Sequence, residues 1–301
     1  MKQLRVLRAA LSANAIFSFM CGITLVIAPA RVATWLGGAP SIVLRVIGIG
    51  LVVFAFDLIH QASRKRLATW RALYASAADY LWVLATLILL AFFPNALSAQ
   101  GQDLVLFIAL CVFVFGSWQL LGIRRAHKTP AGDYRHCVSV IVRASQNAMW
   151  EVVARLGDIQ NYAPGLGKSI IEGGEVAEVG VVRTCTNQAG KQWSEACTSV
   201  DEGRSFSVRF LADAPDFPFP VHNMIGGWEL TPVDEGTQVN IWWELTPKPR
   251  VLAAVIMPIL AFQMDQTMPA VVERMARAAL KEQEIVTPSQ NIISKALGQF
   301  C

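Results

Sequence analysis

The sequence predicts a chain of two unlike parts: an all-α, four-helix transmembrane bundle over residues 1–128, then a soluble α+β domain over 134–284, with a tail over 285–301. Three observations carry this. Apolar residues make up 54% of the 301 and charged residues only 16%, against a usual quarter. With a mean hydropathy of +0.43, much of the chain belongs in lipid. The charge is divided: residues 1–128 hold 12 Lys/Arg against 3 Asp/Glu, net +9, and residues 129–301 hold 14 against 19, net −5. The pattern also changes, from long apolar runs to short alternating segments between turn residues. Disorder, a coiled coil and a nucleic-acid-binding module do not fit this composition.

A bilayer-spanning helix needs about 20 apolar residues. Four runs qualify, at about 9–27, 41–60, 73–93 and 104–122. Between the first two, APARVATWLGGAP carries helix-breaking Pro and Gly, and its Trp35 suits a membrane interface. Lys2, Arg5 and Arg8 precede the first run; Arg64, Lys65, Arg66 and Arg71 separate the second from the third; Arg124, Arg125 and Lys128 follow the fourth. The opposite side has only Arg31 and Arg45, so the positive-inside rule predicts a multi-pass inner-membrane protein with both termini cytoplasmic. The basic start and Ala28-Pro29-Ala30 also resemble a signal peptide, but the apolar run is long and Pro29 sits awkwardly at the junction, which favours a retained anchor.

Asp57, His60 and Asp79 fall inside or at the ends of these runs, together with Asn14 nearer the membrane centre, and ionisable or polar groups there are functional candidates by default. The closeness of Asp57, His60 and Asp79 to the Arg64–Arg71 loop predicts ion pairs with Arg64, Lys65, Arg66 or Arg71 instead. Gly22, Gly48 and Gly50 are expected to allow close helix packing, and association of copies through the helices is compatible with that. No broken helix or inverted repeat points to a transporter.

After Pro130-Ala131-Gly132, residues 136–143 alternate as a strand; Ser145 then caps a helix with Met149, Val152, Val153 and Leu156 on one face. A second short helix covers 157–164. Strands follow at about 168–172, 180–187, 191–200, 205–212, 221–232 and 237–246, with hairpin turns at Gly173-Gly174, Ala189-Gly190, Asp201-Glu202-Gly203 and Asp234-Glu235-Gly236 and a longer DAPDFPFP connection. A helix over about 250–281 closes the domain. Its first part, VLAAVIMPILAFQM, is uncharged over fourteen residues and contains Pro258; at that length it reads as a buried or interfacial helix, not a span.

The ordered set VSVIVRASQNAMWEVVARLGDIQNYAPG, EACTSVDEGRSFSVRF, GGWELTPVDEGTQVNIWWEL and the apolar closing helix resembles the START-like, or SRPBCC, superfamily of polyketide cyclases and lipid-transfer domains, over residues 134–284. The resemblance implies a helix-grip fold, in which a curved antiparallel sheet wraps a long C-terminal helix around an apolar cavity. Residue parity agrees with an apolar, aromatic inner face: Phe206, Val208 and Phe210 share one side of their strand, as do Val239, Ile241, Trp243 and Leu245. His222, Met224, Trp228 and Leu230 share another, unless Gly226-Gly227 introduces a bulge. Any sheet packed on a helix gives this pattern, so the cavity itself is implied by the resemblance. Its expected lining is Trp193, Glu195, Phe206, Val208, Phe210, Met224, Trp228, Val239, Ile241, Trp243, Met257 and Phe262.

Polar candidates on the inward side are Glu195, Arg183, His222 and Asn223. Glu195 and Arg183 fit a buried cross-strand ion pair, since a buried carboxylate needs a partner to stay charged. Glu195 and His222 are the weak candidates for acid and base, because no nucleophile accompanies them. The six cysteines have no metal spacing and, in a cytoplasmic domain, are expected to be reduced fillers. No cofactor or metal motif is present. The connection from residue 123 to 134 reaches at most roughly 40 Å, so the soluble domain is expected at the membrane, with the closing helix and the DAPDFPFP loop at the cavity mouth. The expected function is binding of a hydrophobic small molecule or lipid by a membrane-anchored domain. A cyclase, dehydratase or hydrolase in the same cavity, and a regulatory interaction module with an occluded core, are the alternatives. The expected partners are the bilayer and the hydrophobic ligand.

Overall fold

The computed structural model describes residues 4–64, 67–281 and 293–298 and divides the chain into two compact units, 1–127 and 128–301. The first unit contains α1 (Arg5–Ile27), α2 (Pro29–Leu36), α3 (Ser41–Ser63), α4 (Thr69–Phe92) and α5 (Ala99–His127). The four long ones contain the four apolar runs of the sequence, and each is long and apolar enough to cross a membrane.

The Pro/Gly segment after α1 differs from a plain break. Pro29 begins α2, where its missing N–H costs nothing. Gly37 ends it in the left-handed region at φ 96°, and Val32, Ala33 and Leu36 between them pack on Leu44. The glycine expectation holds at two of its three positions. A Cβ on Gly22 would stand 2.8 Å from the Gly48 carbonyl oxygen, and one on Gly48 would stand 2.8 Å from that of Gly22, whereas one on Gly50 would meet nothing. Gly22→Val is therefore expected to cost about 1–3 kcal/mol through forced separation of α1 and α3, and Gly50→Val almost nothing. Thermal unfolding of the two variants in detergent checks this; equal melting temperatures would contradict it.

The charged groups of this unit divide. Arg71 Nη2 lies 2.5 Å from Asp57 Oδ1, an ion pair of the expected kind. His60 receives a hydrogen bond from Arg64 Nε at 3.1 Å. Asp79 departs from the expectation, because its partners are the amides of Asn14 and Gln119, not a basic side chain. The residue lies two to three turns into α4, and α1 and α5 deliver their amides at that depth.

The second unit runs β1 (Tyr134–Val142), α6 (Gln146–Val153), α7 (Ile159–Tyr162), β2 (Leu166–Glu172), β3 (Val182–Asn187), β4 (Gln192–Asp201), β5 (Ser205–Phe210), β6 (Val221–Val233), β7 (Gly236–Pro247), α8 (Ala253–Lys281) and β8 (Ile293–Gly298). Seven strands in the order β2-β3-β4-β5-β6-β7-β1 form the curved antiparallel sheet of a helix-grip fold, and β8 adds an eighth beside β1. That strand lies in the stretch read from the sequence as a tail. Residues 282–292 and 299–301 lie outside the described residues.

Local chemistry explains these elements. The Ser145 hydroxyl accepts the Ala148 N–H at the start of α6. Gly203 takes φ 75° in the turn closed by Arg204 N–H to Asp201 C=O, where a side chain would be strained. Val138, Val140 and Val142 of β1 and Val239, Ile241 and Leu245 of β7 form the sheet side of the core. Met149 and Val152 of α6, with Met257, Val272, Met275 and Ala276 of α8, form its helical side. The helix α8 also satisfies the length and composition of a span, because it continues well beyond the uncharged run. Its buried face packs on β1 and α6, and His136 Nε2 on β1 lies 2.9 Å from Asp265 Oδ1 on the helix.

The expected bulge is present at a different place. Gly226 and Gly227 pair in register with Trp243 and Trp242, and the irregularity falls between Val221 and Asn223. Glycine at 227 serves close packing instead, since a Cβ there would lie 2.5 Å from the Trp242 ring.

Candidate functional site

The site is an apolar cavity between the sheet and α8, built on a buried ion pair. Arg183 of β3 and Glu195 of β4 stand directly opposite in the strand register, so a salt bridge requires no backbone distortion. Arg183 Nη2 lies 2.9 Å from Glu195 Oε2, and Arg183 Nη1 donates to the Leu156 carbonyl at 3.1 Å. The other carboxylate oxygen accepts from Trp193 Nε1 at 3.0 Å and from the Cys185 thiol at 3.7 Å. Burial works against the Arg183 cation, but the adjacent Glu195 carboxylate, together with Cys185 and Cys197, holds the guanidinium above its ordinary value. Burial pushes the Cys185 thiol up to about 12, so it is a neutral thiol at physiological pH and no nucleophile.

Above this pair the cavity encloses about 160 Å³. Its sheet wall comes from Trp193, Val208, Phe210, Met224, Trp228, Ile241 and Trp243, and its helix wall from Leu260, Met264, Met268 and Val271, spaced along one stripe of α8. Phe219 closes one side, its ring centroid 5.4 Å from those of Trp193 and Phe217 and 6.5 Å from that of Phe210. A wider cleft of about 730 Å³ shares Ala163, Leu166, Trp193, Phe219, Met264, Met268 and Val271 with the cavity. Its rim is polar, with Asn187, Lys191, Gln263, Gln266, Thr267 and Arg274, and its two charged residues are both basic. A cleft with a polar, basic rim thus adjoins an apolar chamber with one compensated ion pair in its wall.

Eight of the residues expected from the sequence line the chamber: Trp193, Glu195, Val208, Phe210, Met224, Trp228, Ile241 and Trp243. Four do not. Phe206 faces inward but packs on Trp150 at 6.4 Å, and Val239 and Met257 are fully buried in the core. The chamber occupies only part of the concave face, and these three lie where sheet and helix have closed. Phe262 is 40% exposed, about half a turn round α8 from the Leu260–Met264 stripe. His222 and Asn223 are exposed, because the irregularity at Val221/Asn223 keeps Val221 and Met224 inward and turns the residues between them out. Strand parity alone missed Phe219 and the two methionines. A period-3.6 reading of Leu260, Met264, Met268 and Val271 finds the helix stripe, whereas nothing in a Pro-rich loop tells which phenylalanine turns inward.

Cys185 and Cys197 are free and buried, but Cys137 is disulfide-bonded, so the expectation of six reduced cysteines fails there; Cys301 lies outside the described residues. Among the described residues no three His, Cys, Asp or Glu side chains converge on a metal-sized site.

Comparison with known proteins places this geometry. Residues 137–282 match the model of the family described as polyketide cyclase / dehydrase and lipid transport. Solved structures with similar chains include the Zhui aromatase/cyclase from Streptomyces sp. R1128, 20% identical over 51% of this chain and 98% of that one with a TM-score of 0.40. Norcoclaurine synthase from Thalictrum flavum is 18% identical over 50% of this chain and 86% of its own, at a TM-score of 0.39. An uncharacterised protein from Bacillus thuringiensis is 17% identical over 47% and 98%, at 0.38. No curated protein matches the chain. The likeness to the polyketide cyclase / dehydrase and lipid transport family is thus confined to residues 137–282, the second unit of the chain.

Proposed function

We propose that the second unit binds a hydrophobic small molecule or lipid in the chamber beside α8, and that the first unit anchors it in a membrane. The observation that carries the reading is that the 160 Å³ chamber and the 730 Å³ cleft adjoin, sharing seven lining residues. An elongated molecule fits there with its apolar part against Phe210, Trp228, Trp243 and Met264. Its polar end is then at a rim whose only charges are Lys191 and Arg274, which favours an anionic or neutral headgroup. The family's description includes lipid transport, and the four apolar helices with their one-sided basic residues support anchoring with cytoplasmic termini.

Catalysis by proton transfer is the weaker reading. Both oxygens of Glu195 are engaged, His222 is exposed and outside the chamber, and Cys185 is a neutral thiol. Solvent extraction of the detergent-purified chain is expected to release one apolar molecule per protein at near-unit stoichiometry. A folded chain that releases none, and takes none up from a total lipid extract, would overturn the proposal. Anchoring is tested separately: the chain is expected to stay in the membrane pellet after alkaline carbonate washing, with a reporter fused at residue 100 placed on the opposite side from one fused at the C-terminus.

A further inference from the structure

We infer that the first unit holds a second, independent site, for a small lipophilic ammonium cation, built on Asp79. The Asp79 side chain is 4% exposed in the interior of the helical unit. Asn14 Nδ2 donates to both of its carboxylate oxygens, at 2.8 and 3.1 Å, and Gln119 Nε2 donates to Oδ2 at 3.0 Å. Behind these amides, the Ser18 hydroxyl donates to Asn14 Oδ1 at 3.1 Å and the Ser76 hydroxyl to Gln119 Oε1 at 3.2 Å. Hydrogen-bond donors from α1 and α5 therefore converge on one carboxylate of α4.

That arrangement suits an anion, but neutral donors do not cancel its charge, and a buried ionised carboxylate without a counter-charge is costly. The described basic side chain nearest to it in sequence, Arg71, pairs with Asp57, and Arg8, six residues before Asn14 on α1, donates to the carbonyls of Ala62 and Arg64. Among the described residues no cation pairs with Asp79.

Space for one lies beside it. Asp79 forms part of the wall of a cavity of about 160 Å³, whose other walls include Ser18, Cys21 and the rings of Phe17, Phe54 and Trp82. A dry apolar cavity of about 150 Å³ holds a molecule the size of benzene. A carboxylate at one wall and aromatic faces at the others is the chemistry that recognises an organic ammonium ion, whose charge is spread over carbon. A bare alkali ion needs several oxygen ligands, and this wall offers the carboxylate and one hydroxyl. The site shares no residue with the chamber of the second unit.

Equilibrium dialysis of the full-length chain in detergent against benzylammonium, with benzyl alcohol as the neutral analogue, tests this. Saturable 1:1 binding is expected, at least tenfold tighter for the ammonium ion, lost at least tenfold in Asp79→Asn and weakened severalfold in Trp82→Leu. Equal affinity for the two probes, no binding of the ammonium ion, or undiminished binding in Asp79→Asn would overturn the assignment. If Asp79→Asn does not fold, undiminished binding in Trp82→Leu would do so. A wild-type chain in which a carboxyl infrared band titrates while benzylammonium stays unbound marks a proton-only site and also overturns it.

Discussion

Glu195→Ala is expected to destabilise the second unit by about 3–5 kcal/mol, because it removes the carboxylate that, among the described residues, pairs with a guanidinium itself 9% exposed. The cost is that of stranding Arg183, whose remaining partner is the Leu156 carbonyl. Since domains are typically stable by about 5–15 kcal/mol, the variant should unfold at a much lower denaturant concentration. The sign reverses when both members go. Arg183→Met with Glu195→Leu fills the same space without a charge to desolvate, and such replacements are commonly neutral or stabilising. Urea unfolding followed by tryptophan fluorescence tests the pair. A single variant as stable as the wild type would show that the ion pair is solvated in practice.

Gly226→Leu is expected to reduce bound ligand at least tenfold while leaving the unit folded. The glycine lines the chamber, and a Cβ there would stand 3.3 Å from the Phe210 and Trp243 rings, tight but not blocked. The rest of the leucine side chain projects from the sheet wall into a chamber of about 160 Å³. Overpacking costs about 1–3 kcal/mol, which a wild-type-like stability tolerates. Gas-phase mass measurement of the intact chain compares occupancy in the two proteins, and near-ultraviolet circular dichroism checks the fold. Unchanged occupancy in a folded variant would place the ligand elsewhere. Gly227→Leu is the contrasting case, because its Cβ would lie 2.5 Å from the Trp242 ring and packing, not ligand, would suffer.

Much of this molecule was legible in the sequence where one local rule dominates. Apolar run length marks the four long helices, and turn glycines, with the Pro-rich DAPDFPFP connection between β5 and β6, separate the strands β2 to β7 in their observed order. Cross-strand spacing alone sets Arg183 against Glu195, as the strand register does. What was not legible depends on contacts between distant segments. Asp79 was expected to pair with the nearby Arg64–Arg71 loop, but its partners Asn14 and Gln119 lie 65 and 40 residues away in sequence. His222 was placed on the inward side by alternation, and a one-residue irregularity turned it out. Phe206, Val239 and Met257 have the correct parity, yet whether a concave face is open or filled depends on how closely α8 approaches it at each turn. Pro29–Leu36 was read as a break because Pro and Gly end helices; they also bound a short one.

Whether the second unit carries a molecule in its chamber is tested most directly by the mass of the intact full-length protein released from detergent under native conditions. A species heavier than the 32.9 kDa chain by one apolar molecule is expected, at high occupancy in the wild type and sharply reduced in Gly226→Leu. A wild-type protein that appears only at the mass of the bare chain, even after incubation with a total lipid extract, would contradict it.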